Sequence, residues 1–228
     1  MKKVIIGIAS LPERVDCLKD TIDSLLPQAD KIIVALNNYH KIPEFLNNPK
    51  IESHLLDNTL GDAAKFYKID NYKDVYYLSC DDDLIYPSDY VKYLTSKCEE
   101  YKSPVGLHGA IIKHPVTSMY SSRIVFHCLG DVLDDTIVDY LGTGVLCFDT
   151  SKLSIKISDF KSPNMADIWF GDMMKINKIK PYVLSHNKNY LTYNKKMIEN
   201  KIDTIFDTYV RTRNDKEQTK IVQNWINL

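Results

Sequence analysis

The sequence predicts one α/β domain whose first half is a mostly parallel sheet, and three observations carry that reading. "KVIIGIAS", "KIIVALNN" and "DVYYLSC" are continuous apolar runs of the kind buried on both faces of a parallel sheet. Val15, Leu18, Ile22, Leu25 and Leu26 recur between the first two runs at helical spacing. The chain has 228 residues, 44% of them hydrophobic, which suits a single domain with a full core.

The elements follow in order. "KVIIGIAS" is the first strand, after which Ser10, Pro12 and Glu13 read as a capping box opening a helix that Pro27 and Asp30 end. "KIIVALNN" is the second strand and "IESHLL" a short third. "GDAAKFYKI" reads as a helical turn, and "DVYYLSC" is the fourth strand. Ser88 and Asp89 are expected to cap a helix carrying Tyr90, Val91, Leu94 and Cys98. Beyond residue 100 the pattern is mixed, with strands expected in "PVGLHGAII", "SRIVFHCL", "GVLCFD" and "PYVLS". Asn164 and Asp167 are expected to cap a helix over "IWFGDMMKI", and "KEQTKIVQNWINL" reads as a terminal helix. The expected division is a half of about residues 1–100, a second half of about 101–200 and a helical extension of about 201–228.

Composition narrows the partners. Lys plus Arg is 29 and Asp plus Glu is 30, and a net charge of -1 argues against a general nucleic-acid footprint. No apolar run approaches the length of a membrane span. The five cysteines are odd in number and show no CxxC spacing, which argues against a disulfide framework and a structural zinc site. A reducing cytoplasm is the simplest setting.

Ligands of open α/β sheets bind beyond the carboxyl ends of the strands. "SLPER", "NNYH", "GDAAK" and "CDDD" all fall there. The consecutive carboxylates Asp81, Asp82 and Asp83 at the mouth of an apolar strand call for a counter-charge, and hard divalent cations take such oxygen ligands. The competing reading is a solvated acidic turn. Lys65 reads as a point charge for a diphosphate, or else as an exposed helix lysine. Ser10, Pro12 and Arg14 stand in the first loop, where Ser10 is explained equally by the cap. Asn37 and Asn38 end the second strand, with Tyr39 after them. His108 is a candidate for lining a second-substrate pocket, against a structural histidine. Gly142-Thr143-Gly144 lacks the GxxxxGK pattern and reads as a wall rather than a phosphate loop.

"IIGIASLPERVDCLKDTIDSL", "GDAAKFY", "YYLSCDDDLIYPSDYV" and "NMADIWFGDMMK", in this order over roughly residues 4–190, resemble family 2 glycosyltransferases of the GT-A fold. That resemblance implies a Rossmann-like nucleotide-binding half and a mixed-sheet acceptor half. It implies a nucleotide-sugar donor, above all a UDP-sugar, with Mn²⁺ or Mg²⁺ and an inverting transfer to a glycan or lipid-linked hydroxyl. Bacterial surface polysaccharide assembly is the setting it suggests. By the same resemblance Asp81 faces the ribose or the metal and Asp83 the metal, while Asp82 stays open because the triplet allows two registers. Asp167 takes the place of the catalytic base, with Asp172 one turn on as reserve, and Ala166 stands where many relatives carry a second acid. His186 is implied as a further metal ligand. In the GT-A fold the end of the second strand reads the nucleobase, which implies the Asn37 and Asn38 amides on the base edge and Tyr39 against the ring.

Two other readings stay open. One is a metal-dependent nucleotidyltransferase, against which the glycine-free "ASLPER" counts. The other is a nucleotide-sugar-binding module without turnover. Ile221, Val222, Trp225, Ile226 and Leu228 form one side of the terminal helix. That side packs on its own domain or meets a second subunit or the inner face of the membrane.

Overall fold

A computed structural model describes residues 2–228. The first half runs β1 (Lys3–Ser10), α1 (Val15–Leu25), β2 (Lys31–Asn37), β3 (Ile51–Leu56), β4 (Val75–Asp81), β5 (Leu84–Ile85) and α2 (Tyr90–Tyr101). The second half runs β6 (Val105–Gly106), β7 (Gly109–Ile112), β8 (Arg123–Phe126), β9 (Thr136–Ile137), β10 (Tyr140–Leu141), β11 (Val145–Asp149), α3 (Ala166–Ile176), β12 (Tyr182–Val183) and β13 (Thr192–Tyr193). Three helices close the chain: α4 (Lys195–Glu199), α5 (Ile205–Thr212) and α6 (Lys216–Asn224).

The main sheet has the order β3-β2-β1-β4-β11-β6-β12-β9. β1, β2, β3 and β4 are parallel, and β11 enters antiparallel between β4 and β6. The fold is therefore α/β with a Rossmann-like first half and a mixed second half, as the sequence led one to expect. The order reverses at β1, which lies between β2 and β4, so a crevice opens at the carboxyl ends of these strands. A second sheet, β10-β7-β8, stands beside it.

Both faces of the main sheet are covered, which is why its strands are apolar without alternation. Tyr77, Ile5 and Ile33 point to one core with Phe148 and Phe170, while Ile6, Ile8, Val34, Leu78 and Cys80 point to the other. Phe66 and Phe160 stack at 4.5 Å and tie the 61–66 turn to the first core.

Several local expectations are corrected. Ser10 does not cap a helix: it is the last residue of β1, its Oγ lies 3.1 Å from the Tyr39 hydroxyl, and Pro12–Arg14 form a 3₁₀ turn before α1. Asp89 precedes α2 without capping it and accepts from the Tyr190 hydroxyl at 3.1 Å. Asn164 has a φ of 59° and packs on Gly61, leaving Met165 at the start of α3. "PVGLHGAII" is two strands in two sheets, because Leu107 and His108 bond across to Val145 and Gly142 and turn the chain between them.

The terminal helix packs on its own domain. Val222 and Trp225 are buried in the first core, each such burial worth roughly 1.5–3 kcal/mol. Ile226 and Leu228 alone of the five-residue side are exposed. Among the described residues no helix is long and apolar enough to cross a membrane.

Candidate active site

A cleft of about 900 Å³ opens over the carboxyl ends of β1, β2 and β4 and is walled on the other side by β8, the 142–144 turn and the start of α5. The structure brings Ser10, Arg14, Asn37, Lys65, Asp81, Asp82, Asp83, His108 and Asp167 together along it. These come from six separate stretches of sequence.

Asp81 ends β4 and is the most open of the triplet, with 41% of its side chain exposed. Its backbone N–H donates to the Gly144 carbonyl at 3.0 Å and to the Tyr86 hydroxyl at 2.9 Å, which fixes the strand end against the 142–144 turn. Its carboxylate is paired with the buried Lys65 ammonium. Burial works to lower the Lys65 pKa, but the charges of Asp81 and Asp62 outweigh it and raise the value.

Asp82 and Asp83 are buried beneath Asp81. Arg14 Nη1 lies 3.0 Å from Asp82 Oδ1 and 3.5 Å from Asp83 Oδ2. Burial is opposed there by the two acids, which raise the guanidinium's pKa. One cation thus stands between two buried acids. Burial, then the charges of Asp81 and Asp82, push Asp83 up to about 7, and burial raises Asp82 as well.

Asp62 is the acid that sequence reasoning missed. Gly61 has a φ of +54°, and this left-handed turn swings Asp62 toward α3, where Oδ2 accepts the Ala166 N–H at 3.1 Å. Asp62 thereby satisfies a free N–H at the start of α3 and stands beside Asp167. Burial first, against the pull of Lys65, raises Asp62 to about 6. Asp167, in the next position of α3, lines the cleft and accepts from the Thr143 N–H and hydroxyl, both at 2.7 Å. Burial raises its pKa, and the Thr143 hydrogen bonds oppose that rise.

Other expected residues lie elsewhere. Asn38 stands in a separate groove with His40 and Asp57, and the cleft receives Asn37 instead, whose Nδ2 donates to the Gly61 carbonyl at 3.0 Å. Pro12 shapes the 3₁₀ turn and is not a lining residue. Asp172 faces away, accepting the Trp225 indole N–H at 2.9 Å. His186 does not reach the carboxylates: its Nδ1 lies 2.8 Å from the Leu184 carbonyl and its Nε2 3.4 Å from that of His127. His108, His127 and Cys128 hold three ligand-type atoms within 4.8 Å of one another. His127 Nδ1 already accepts the Leu129 N–H at 3.2 Å, so the neutral ring carries its proton on Nε2.

Asp62, Asp81, Asp82, Asp83 and Asp167 act on one another's charge, and Lys65 and Arg14 are the cations paired with three of them. Their oxygens do not converge as a preformed cage, since among the described residues the three-ligand group is His108, His127 and Cys128, so a cation here would have to draw on the unpartnered oxygens. Asp82 Oδ2 and Asp62 Oδ1 are buried with no hydrogen-bond partner among the described residues. Oxygen donors short of positive charge are what Mg²⁺ and Mn²⁺ take.

Gly144 provides the seat for Asp81. A Cβ there would lie 1.9 Å from Asp81 Oδ2, so Gly144→Ala is expected to rotate the Asp81 carboxylate off Lys65 while the strand stays in place. The expected result is a fold weakened by about 1 kcal/mol through loss of the Asp81–Lys65 pair, with unchanged circular dichroism. Undiminished stability on urea unfolding would show that the Gly144 seat does not hold that pair.

No family model matches the chain, and no curated protein matches it. Solved structures do match. Among them is the inositol-1-phosphate CTP transferase from T. maritima, 13% identical, with a TM-score of 0.49, the match covering 98% of this chain and 96% of that one.

Proposed function

We propose that the protein is a metal-dependent inverting glycosyltransferase of the GT-A type, moving one sugar from a nucleotide-sugar donor to a hydroxyl of a second substrate. The observation that carries this reading is the position of Asp167. It is a carboxylate fixed by two hydrogen bonds from Thr143, in the same cleft as the Asp81–Asp83 cluster.

In this reading the base sits near Asn37 and the diphosphate lies over Lys65 and the β4 carboxylates. Asp81 and Asp83 would hold the divalent cation, which when bound neutralises charge on the two phosphates. Lys65 adds a fixed positive charge beside them. Asp167 accepts the proton of the acceptor hydroxyl, and burial makes it a stronger base than a free carboxylate. The acceptor oxygen then bonds to the anomeric carbon from the face opposite the diphosphate. The bond from that carbon to the diphosphate oxygen breaks, and the nucleoside diphosphate leaves with the electron pair.

A phosphate nucleophile arrives already ionised and needs no such base, which favours sugar transfer over nucleotidyl transfer. The test is a panel of sugar nucleotides and nucleoside triphosphates, with and without Mn²⁺, on the wild type and on Asp83→Asn. Metal-dependent release of a nucleoside diphosphate from a sugar nucleotide is expected, with affinity for the metal–nucleotide pair lowered tenfold or more in Asp83→Asn. Pyrophosphate release from a triphosphate would assign nucleotidyl transfer instead. Binding without turnover would leave a binding module.

A further inference from the structure

Three Lys or Arg side chains line the cleft, and two already have acid partners. Lys65 pairs with Asp81, and Arg14 with Asp82 and Asp83. Arg123, on β8, is in no ion pair among the described residues. Its Nη1 donates to the Tyr140 hydroxyl and reaches Met119 Sδ at 3.9 Å, and its Nε is buried without a hydrogen-bond partner.

No carboxylate is in ion-pair contact with Arg123 among the described residues. Burial, with His127 and Arg123 adding to it, lowers His108 to about 3, so that ring is neutral. The acids that act on Tyr120, Asp167 and Asp215, are held by Thr143 and by Ser118 and the Tyr120 N–H. A guanidinium with an unused buried donor is costly to keep unless a ligand completes it.

Beside this cation lies an aromatic face. The Tyr120 ring is 4.5 Å from the Arg123 guanidinium carbon. Tyr209 stacks on Tyr120 at 3.8 Å, and Phe206 tilts against it at 5.7 Å while remaining exposed in the cleft wall. Aromatic stacking orients the guanidinium plane and leaves its edge for a planar, two-oxygen partner.

We propose that Arg123 seats an anionic group, a carboxylate or a phosphate, on the second substrate, whose ring lies against Phe206. The proposal rests on the transfer reading above and names its acceptor as a sugar acid or sugar phosphate. Arg123 belongs to the β10-β7-β8 wall, whereas the cations beside the β4 carboxylates come from the β1 loop and the 61–66 turn. The donor diphosphate therefore has its own cations, and Arg123 is left for the partner.

The test uses the full chain with glucose 1-phosphate, glucuronic acid and glucose as probes, measured by ligand-observed NMR. UDP with Mn²⁺ is titrated in parallel by calorimetry. The anionic sugars are expected to bind and glucose to bind more weakly. Arg123→Gln should weaken the anionic sugars about tenfold or more and leave UDP affinity unchanged. The tighter of the two anionic probes identifies phosphate or carboxylate as the natural group. Arg123→Lys, which keeps the charge and loses the planar fork, should fall between. Equal binding of glucose and glucose 1-phosphate overturns the proposal, as does an undiminished affinity in Arg123→Gln. A loss of UDP affinity in that variant also overturns it, by placing Arg123 on the donor. Should Arg123→Gln fail to fold, the wild-type affinity for glucose 1-phosphate must fall as salt rises, and salt independence overturns the idea. Absence of UDP–Mn²⁺ binding to the wild type would sink the transfer reading alone, since the anion measurements stand without it.

Discussion

Asp167→Asn is expected to lower turnover about 10²- to 10⁴-fold while donor binding is retained. Asparagine keeps the size of the side chain, and its Oδ1 still accepts from the Thr143 N–H and hydroxyl, which the wild-type carboxylate holds at 2.7 Å. What it loses is the capacity to take a proton. Because burial raises the Asp167 pKa, the acid limb of the wild-type kcat/KM profile should lie above the ordinary carboxylate range and disappear in the variant. Asp172→Asn is the control one turn along α3. Its carboxylate serves the Trp225 indole, which the amide oxygen still satisfies, so turnover should stay near wild type. Stopped assays with the same sugar nucleotide decide the matter. Near-wild-type turnover in Asp167→Asn would remove it from the chemistry.

How much of this was legible in the sequence depends on the element. β1, β2 and β4 were plain because a strand buried on both faces must be apolar throughout. β9 and β10 are two residues long, too short for any period to show, whereas the equally short β12 lies within the expected "PYVLS". α5 falls inside the helical extension expected over about 201–228, and its start is readable because Thr204 and Asp207 bond each other's backbone in a capping box, but the thin apolar signal around it gave no boundary separating it from α6. In the site, Asp81, Asp82 and Asp83 were legible from their place after β4, and Asp167 through the resemblance. Asp62 was not, because its role depends on the left-handed Gly61 bringing it to Ala166, a contact 104 residues away. Arg123 was not, because the lack of an acid partner is a fact of three dimensions. Ser10 misled for the opposite reason: a local pattern fitted a cap, but the pairing of β1 with β2 carries the strand through Ser10, opposite Leu36.

Lys65→Met is expected to destabilise the fold by about 2–4 kcal/mol at pH 7.5, somewhat below the ~3–5 kcal/mol for removing one member of a fully buried ion pair because Asp81 is partly exposed. Lys65 is 5% exposed, so the ammonium has little water to fall back on and depends on Asp81 and on the charges of Asp62 and Asp167. Methionine fills a similar volume and leaves those acids facing one another. The pH dependence gives the cause away. Lys65 has a raised folded-state pKa, so its contribution is fully present below the unfolded value of about 10.4 and is not itself lost at neutral pH. The acids behave in the reverse sense. Asp62 and Asp83 have folded pKa values of about 6 and about 7, above their ordinary range. Their burial costs least below the unfolded value near 4, and the cost grows as pH rises through 6 and 7. Without Lys65 that cost increases, so the gap between wild type and Lys65→Met should be widest near pH 8 and should narrow steadily toward pH 5. Urea unfolding of both proteins at pH 5, 6, 7 and 8 measures it. A gap that stays constant across the series would mean that Lys65 stabilises by packing its methylenes and not by balancing the carboxylates beneath the cleft.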